Sequence, residues 1–106
     1  MLSGYRLVWL VTIFDLPVTT KSERKEASKF RYKILDLGFQ MVQFSVYMKH
    51  CAGKEQGDVI IAKIAEVVPA YGNVKVLQIT DKQYGAIRHF GRHSAASIQV
   101  DQLALF

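Results

Sequence analysis

From Leu7 to Phe14 only Thr12 is polar, and this run leads straight into Asp15, followed after one residue by Pro17. An apolar stretch rich in β-branched and aromatic types reads as a strand buried on both faces, and therefore central in its sheet. Pro17 has no N–H for a ladder and biases Leu16 towards extended backbone, so the strand is expected to stop near Asp15. The run thus delivers a carboxylate to the tip of a rigid strand. Two readings of Asp15 stay open at this point: a functional group, or an acceptor for the N–H groups of a turn or a nearby helix start.

Everything else in 106 residues must pack around that strand, since the chain is long enough for one core and too short for two. Half of the residues are apolar and 22% are charged, which describes a folded globular chain. No apolar run approaches the roughly 20 residues needed to span a bilayer. The N-terminus has no basic region followed by an apolar stretch and a small-residue cleavage site, so a cytoplasmic protein without membrane association is expected. Cys51 is the sole cysteine, which excludes an internal disulfide, fits a reducing compartment and suggests a small buried hydrophobe. The formal charge of +5 favours an anionic partner, most commonly nucleic acid.

After Pro17, the spacing Thr20…Glu23 is that of a capping box, and it predicts a helix starting at Lys21. Ala27, Phe30, Ile34 and Leu37 form its apolar stripe, and Gly38 is placed to end it. Lys21, Arg24, Lys25 and Lys29 fall opposite the stripe, with Arg31 and Lys33 flanking it. A solvated basic face and a phosphate-binding face fit the wheel equally well. Position favours phosphate binding, because several cations lie in the first turns, close to Asp15 and to free helix N–H groups.

Phe39 to Cys51 alternates apolar and polar positions over much of its length, but thirteen residues are long for one strand. Two strands with a tight reversal or bulge around Gln43 to Ser45 are expected. Ala52-Gly53 then breaks the chain. Lys54 to Val68 reads as a second amphipathic helix with Ile60, Ile61, Ile64, Ala65 and Val68 on one face, closed by Pro69. Tyr71-Gly72-Asn73 is a turn, and Val74 to Thr80 a further strand. The order β-α-β-β-α-β implies an α+β, ferredoxin-like fold, an antiparallel four-stranded sheet with both helices on one face and the strand of Asp15 in the middle. Of the remainder, Ile87 to Phe90 is a candidate short strand. Ile98-Gln99-Val100 has the alternation of an edge addition, and the apolar end Leu103 to Phe106 suggests packing on a second copy or a partner. Residues 1–90 are thus assigned to the domain and 91–106 to a C-terminal extension.

Three stretches taken together resemble a known family: Ile13-Phe14-Asp15-Leu16-Pro17, Gly38-Phe39…Gln43-Phe44-Ser45-Val46-Tyr47, and Ile79-Thr80-Asp81-Lys82-Gln83. From about Arg6 to Phe90 the chain is similar to the small CRISPR-associated endoribonuclease family (Cas-two), one of the two general proteins of spacer acquisition. The resemblance implies a homodimer of ferredoxin-like protomers whose final strands are exchanged with, or added to, the partner's sheet. It implies a metal-dependent phosphodiesterase acting on RNA or double-stranded DNA, and a bridge between two dimers of the CRISPR integrase. The family's metal-binding, catalytic carboxylate falls on Asp15. Its nucleic-acid contacts fall on Arg24 and on Lys21 or Lys25. Where many relatives carry arginine before Gln43, this chain has Met41, so that contact does not transfer.

A single carboxylate per chain is too few for a good Mg²⁺ site. A two-fold axis between the strand tips would let two copies of Asp15 share one Mg²⁺ ion. Hydrolysis would then use the ion to polarise the phosphate and to generate hydroxide, with Arg24 and Lys25 holding flanking phosphates and Ser45 a candidate positioning residue. The alternative is a non-catalytic DNA-binding scaffold of the integrase complex in which Asp15 is structural. Other sites are weaker: His89 and His93 have i,i+4 spacing, but glycines flank them and no acid or cysteine lies at ligand spacing. His50 and Cys51 are adjacent on a strand and so point to opposite faces. No phosphate-cradling glycine-rich loop or dinucleotide fingerprint is present.

Overall fold

Leu7 to Asp15 does form the middle of the molecule. The computed structural model describes residues 7–91. Its elements are β1 (Val8–Asp15), α1 (Lys21–Asp36), β2 (Gln40–Gln43), β3 (Val46–Cys51), α2 (Lys54–Val67), β4 (Asn73–Thr80) and α3 (Asp81–Gly85). The sheet order is β2-β3-β1-β4 with every pair antiparallel, a ferredoxin-like arrangement in which β1 is flanked by β3 and β4. The reversal expected near Gln43 is present, with a register shift between Met41 and Gln43 where β2 meets β3.

Local chemistry sets the element ends. Thr20 Oγ1 accepts from the Glu23 N–H at 3.1 Å, and Glu23 Oε1 accepts from the Thr20 N–H at 2.9 Å, closing the capping box that opens α1. Such a cap stabilises a helix by about 1 kcal/mol. At the other end Gly38 adopts φ +98°, which a β-carbon would strain.

Alternate residues of β1 face the two helices. Val8, Leu10 and Thr12 are buried there, against Phe30 and Ile34 of α1 and Ile64 of α2. Tyr47, Cys51 and Phe39 complete the buried set. The Thr12 hydroxyl is wholly buried and has no hydrogen-bond partner among the described residues.

Four sequence expectations change. First, β1 is central, but the two long helices α1 and α2 cover only one of its faces. On the other, Trp9, Val11 and Ile13 alternate with the core residues, and Ile13 and Leu77 are 38% and 45% exposed. The unbroken apolarity of the run therefore exceeds what this chain's own helices bury. Second, Ala65 and Val68 do not join the core face of α2; Gly57 and Val67 lie towards the sheet instead. Pro69 disfavours helical backbone at Val68, which is extended at φ −63°, ψ 130° and turns outward. Third, Ile87 to Phe90 is irregular and exposed, not a strand. Fourth, α3 takes the place of any such strand: a second capping box, Thr80 with Gln83, turns the chain off β4. α3 reaches back over the open sheet face, where the Trp9 indole stacks on Tyr84 at 3.8 Å and donates to Asp81 Oδ1 at 2.8 Å. The expectations for His93, for Ile98 to Val100 and for Leu103 to Phe106 lie outside the described residues.

Candidate active site and nucleic-acid contacts

Asp15 is the last residue of β1, paired in register with Asn73, and exposed. By strand alternation it shares the uncovered sheet face with Trp9, Val11 and Ile13. Its carboxylate makes no hydrogen bond or ion pair with the described residues, so it is not serving as the turn acceptor that the sequence left open.

Its backbone, by contrast, is tightly held. The next residue inward, Phe14, donates its N–H to the Ser45 carbonyl at 3.1 Å. Gly72, at φ +104°, packs so closely that a β-carbon there would lie 2.8 Å from the Asp15 carbonyl oxygen and 2.8 Å from Leu16 Cδ2. Gly72→Ala is therefore expected to destabilise the fold by about 2–3 kcal/mol, from left-handed strain plus a steric overlap that only a backbone shift relieves. Urea denaturation checks the energy, and an amide NMR shift at Asp15 checks the displaced tip.

The basic candidates sit in the other layer. Lys21, Arg24 and Lys25 are exposed on the first turns of α1, which packs on the covered face of the sheet. Arg24 is fixed in place: its Nη1 donates to the carbonyls of Val18 at 3.2 Å and Thr19 at 3.0 Å, bracing the loop between Asp15 and the helix. Among the predicted residues, Arg24 and Ser45 line one cleft of about 440 Å³ between α1 and the β2–β3 turn. Asp15, Lys21 and Lys25 do not line it.

Ser45 has φ +59°, the only left-handed non-glycine among the described residues. That geometry costs about 1–2 kcal/mol for an L-residue and persists only where the surroundings enforce it. The same cleft contains Arg31, which the wheel had placed merely beside the apolar stripe. The signal for it was the spacing Arg24, Ser28, Arg31, at i, i+4 and i+7 on one side of a helix. Arg31 lies beside Tyr47: burial pushes that phenol up, and the charged, hydrogen-bonding guanidinium opposes the rise.

Elsewhere the weaker candidates separate as expected. Cys51 is buried and His50 exposed, on opposite faces of β3. Burial pushes the Cys51 thiol up against the opposing pull of Lys49, which suits packing and not nucleophilic chemistry. His89 is exposed in the irregular segment after α3. Met41, at the position where arginine was absent, packs against the core. Among the described residues no helix is long and apolar enough to cross a membrane.

A sequence profile described as "CRISPR associated protein Cas2" matches residues 8–87. A protein of Paracidovorax avenae named CRISPR-associated endoribonuclease Cas2 is 50% identical over 108 aligned positions, covering all of both chains. Proteins of the same name from Flavobacterium psychrophilum and Parvibaculum lavamentivorans are 47% and 42% identical. They cover 84% and 93% of this chain, and 77% and 100% of their own lengths. The antiparallel ferredoxin-like sheet, the strand-tip carboxylate and the strained serine turn stand at the motif positions that carried the resemblance, and the chain belongs to the CRISPR-associated Cas2 family.

Proposed function

We propose that the protein works as a homodimer that cleaves phosphodiester bonds in RNA or double-stranded DNA at a metal ion held between two copies of Asp15. The same dimer is proposed to bridge the dimers of the CRISPR integrase in spacer acquisition. The observation that carries this reading is the exposed carboxylate, without a partner among the described residues, at the tip of the central strand on the sheet face that α1 and α2 leave uncovered. An apolar face of that kind is what a second copy would bury, and a two-fold axis through it would double the single carboxylate.

The donor chemistry fits a hard cation. Among the described residues no group of three or more His, Cys, Asp or Glu side chains gathers, so the chain offers one oxygen ligand and not a nitrogen or sulfur cage. Mg²⁺ binds through one or two carboxylates while keeping waters and taking substrate phosphate. When bound, the ion would supply phosphate polarisation and a water of lowered pKa. Asp15 would hold it, the Ser45 carbonyl keeps the strand tip in place, and Lys21, Arg24 and Lys25 neutralise the flanking phosphates. The endoribonuclease name of the relatives supports the RNA arm of this proposal.

The single carboxylate also favours a second reading, a non-catalytic scaffold that binds DNA through α1. Charge removal tests what both readings share. Changing Lys21, Arg24 and Lys25 together to glutamine is expected to lower the salt slope of nucleic-acid binding by about 2–3, one per phosphate lost. The Lys21/Lys25 double variant leaves the loop bonds of Arg24 intact and should lower it by about 2. Unchanged slopes in fluorescence anisotropy titrations would remove α1 from the interface.

A further inference from the structure

The cleft between α1 and the β2–β3 turn combines an apolar lining with cationic groups. Phe14, Leu16 and Val18 supply the apolar part of its lining, while Arg24, Arg31, Ser28 and Ser45 supply guanidinium and hydroxyl donors. Among the described residues no carboxylate lines it. Neighbouring clefts differ: one is lined by Glu23 and Glu26, another by Glu26 and Glu66. Both arginines are held in place before any ligand arrives. Arg24 is braced by two loop carbonyls through Nη1, and Arg31 lies 5.1 Å from the Tyr32 ring centroid and beside Tyr47. The left-handed backbone of Ser45 places it in the cleft wall.

We propose that this cleft seats one nucleotide unit of a bound nucleic-acid strand, its phosphate between Arg24 and Arg31 and its sugar edge over Phe14, Leu16 and Val18. The assignment rests on the nucleic-acid reading above and adds a defined subsite to it. Paired guanidinium groups suit a phosphodiester, because their planar forks bind its oxygens in a fixed geometry. The apolar lining suits the sugar, and a bare inorganic anion would leave that surface unused.

Anisotropy titrations of the full chain with labelled 20-nucleotide RNA and 20-base-pair DNA, from about 50 to 200 mM KCl, test this. Ser28→Asp places a carboxylate in the cleft, within reach of both guanidinium groups, without substituting either arginine, and is expected to weaken binding about 10-fold or more. Arg31→Gln is expected to weaken it about 5-fold or more while lowering the salt slope by less than about 0.7–0.9, because Arg24 still faces the same phosphate. Arg31→Lys should keep the slope while losing affinity. Lys63→Gln, a single-charge control on α2, should change neither quantity. If Ser28→Asp and Arg31→Gln behave like Lys63→Gln while the Lys21/Lys25 variant still weakens binding, the subsite falls and the α1 interface stands. Failure of the unaltered protein to bind either nucleic acid removes both. Displacement of the strand by polyglutamate as readily as by unlabelled RNA would overturn the nucleotide assignment in favour of an anion surface that does not recognise nucleotides.

Discussion

Asp15→Asn is expected to reduce Mg²⁺-dependent cleavage of RNA or duplex DNA by about 100-fold or more, equivalent to roughly 2.7 kcal/mol of transition-state stabilisation. Stability should change by no more than about 0.5 kcal/mol, because the carboxylate is exposed and bonds to none of the described residues. Asparagine keeps the shape and one oxygen but loses the charge that holds a hard cation. The measurement is a time course on labelled substrates with and without EDTA, alongside thermal melting and light scattering to show an intact fold and assembly. Undiminished cleavage by a clean preparation would take Asp15 out of the chemistry and leave the scaffold reading. On that reading Asp15→Asn still supports spacer integration, whereas glutamine at Lys21, Arg24 and Lys25 abolishes it.

Phe30→Ala should have the largest effect on stability, a loss of about 3–5 kcal/mol. Phe30 is 1% exposed, and its ring meets Phe14 edge to face at 5.1 Å and 88°. Phe14 in turn stacks on Tyr47 at 5.3 Å, so these three rings fill the space beneath the strand tip that carries Asp15. A domain of this size is stable by about 5–15 kcal/mol, and the loss therefore removes a large share of it. Urea denaturation measures the energy, and Phe30→Leu should recover more than half by refilling part of the cavity. A cost below about 1 kcal/mol would mean that α1 settles into the space, and that the rings do not set the height of the tip.

The candidate site was legible in parts. Asp15 and Pro17 marked the end of a strand because proline chemistry is local, and Thr20 with Glu23 marked the start of a helix for the same reason. Thr80 with Gln83 is the same kind of signal, and reading it would have replaced the strand expected at Ile87 to Phe90 with the turn of α3. A helical wheel places Val68 on the apolar face because it treats every position as helical, whereas Pro69 ends the helix before Val68. The weight of Arg31 comes from sharing a cleft with Ser45 of the β2–β3 turn, a proximity that the periodicity of α1 alone does not show.

The sequence by itself determined the β-α-β-β-α-β order, both long helices, the capping box and terminal glycine of α1, the place of β1 in the sheet and the carboxylate at its tip. These follow from periodicity, from residues that lack a donor or supply one, and from the short connections between elements. Only the tertiary structure decided which groups share a surface. It set Asp15 on the uncovered face and Lys21, Arg24 and Lys25 in the helix layer, and it closed Arg24, Arg31 and Ser45 around one cleft. The physical reason is that strand alternation and helix docking assign each side chain to a layer, and one-dimensional spacing does not show which residues from different elements meet there.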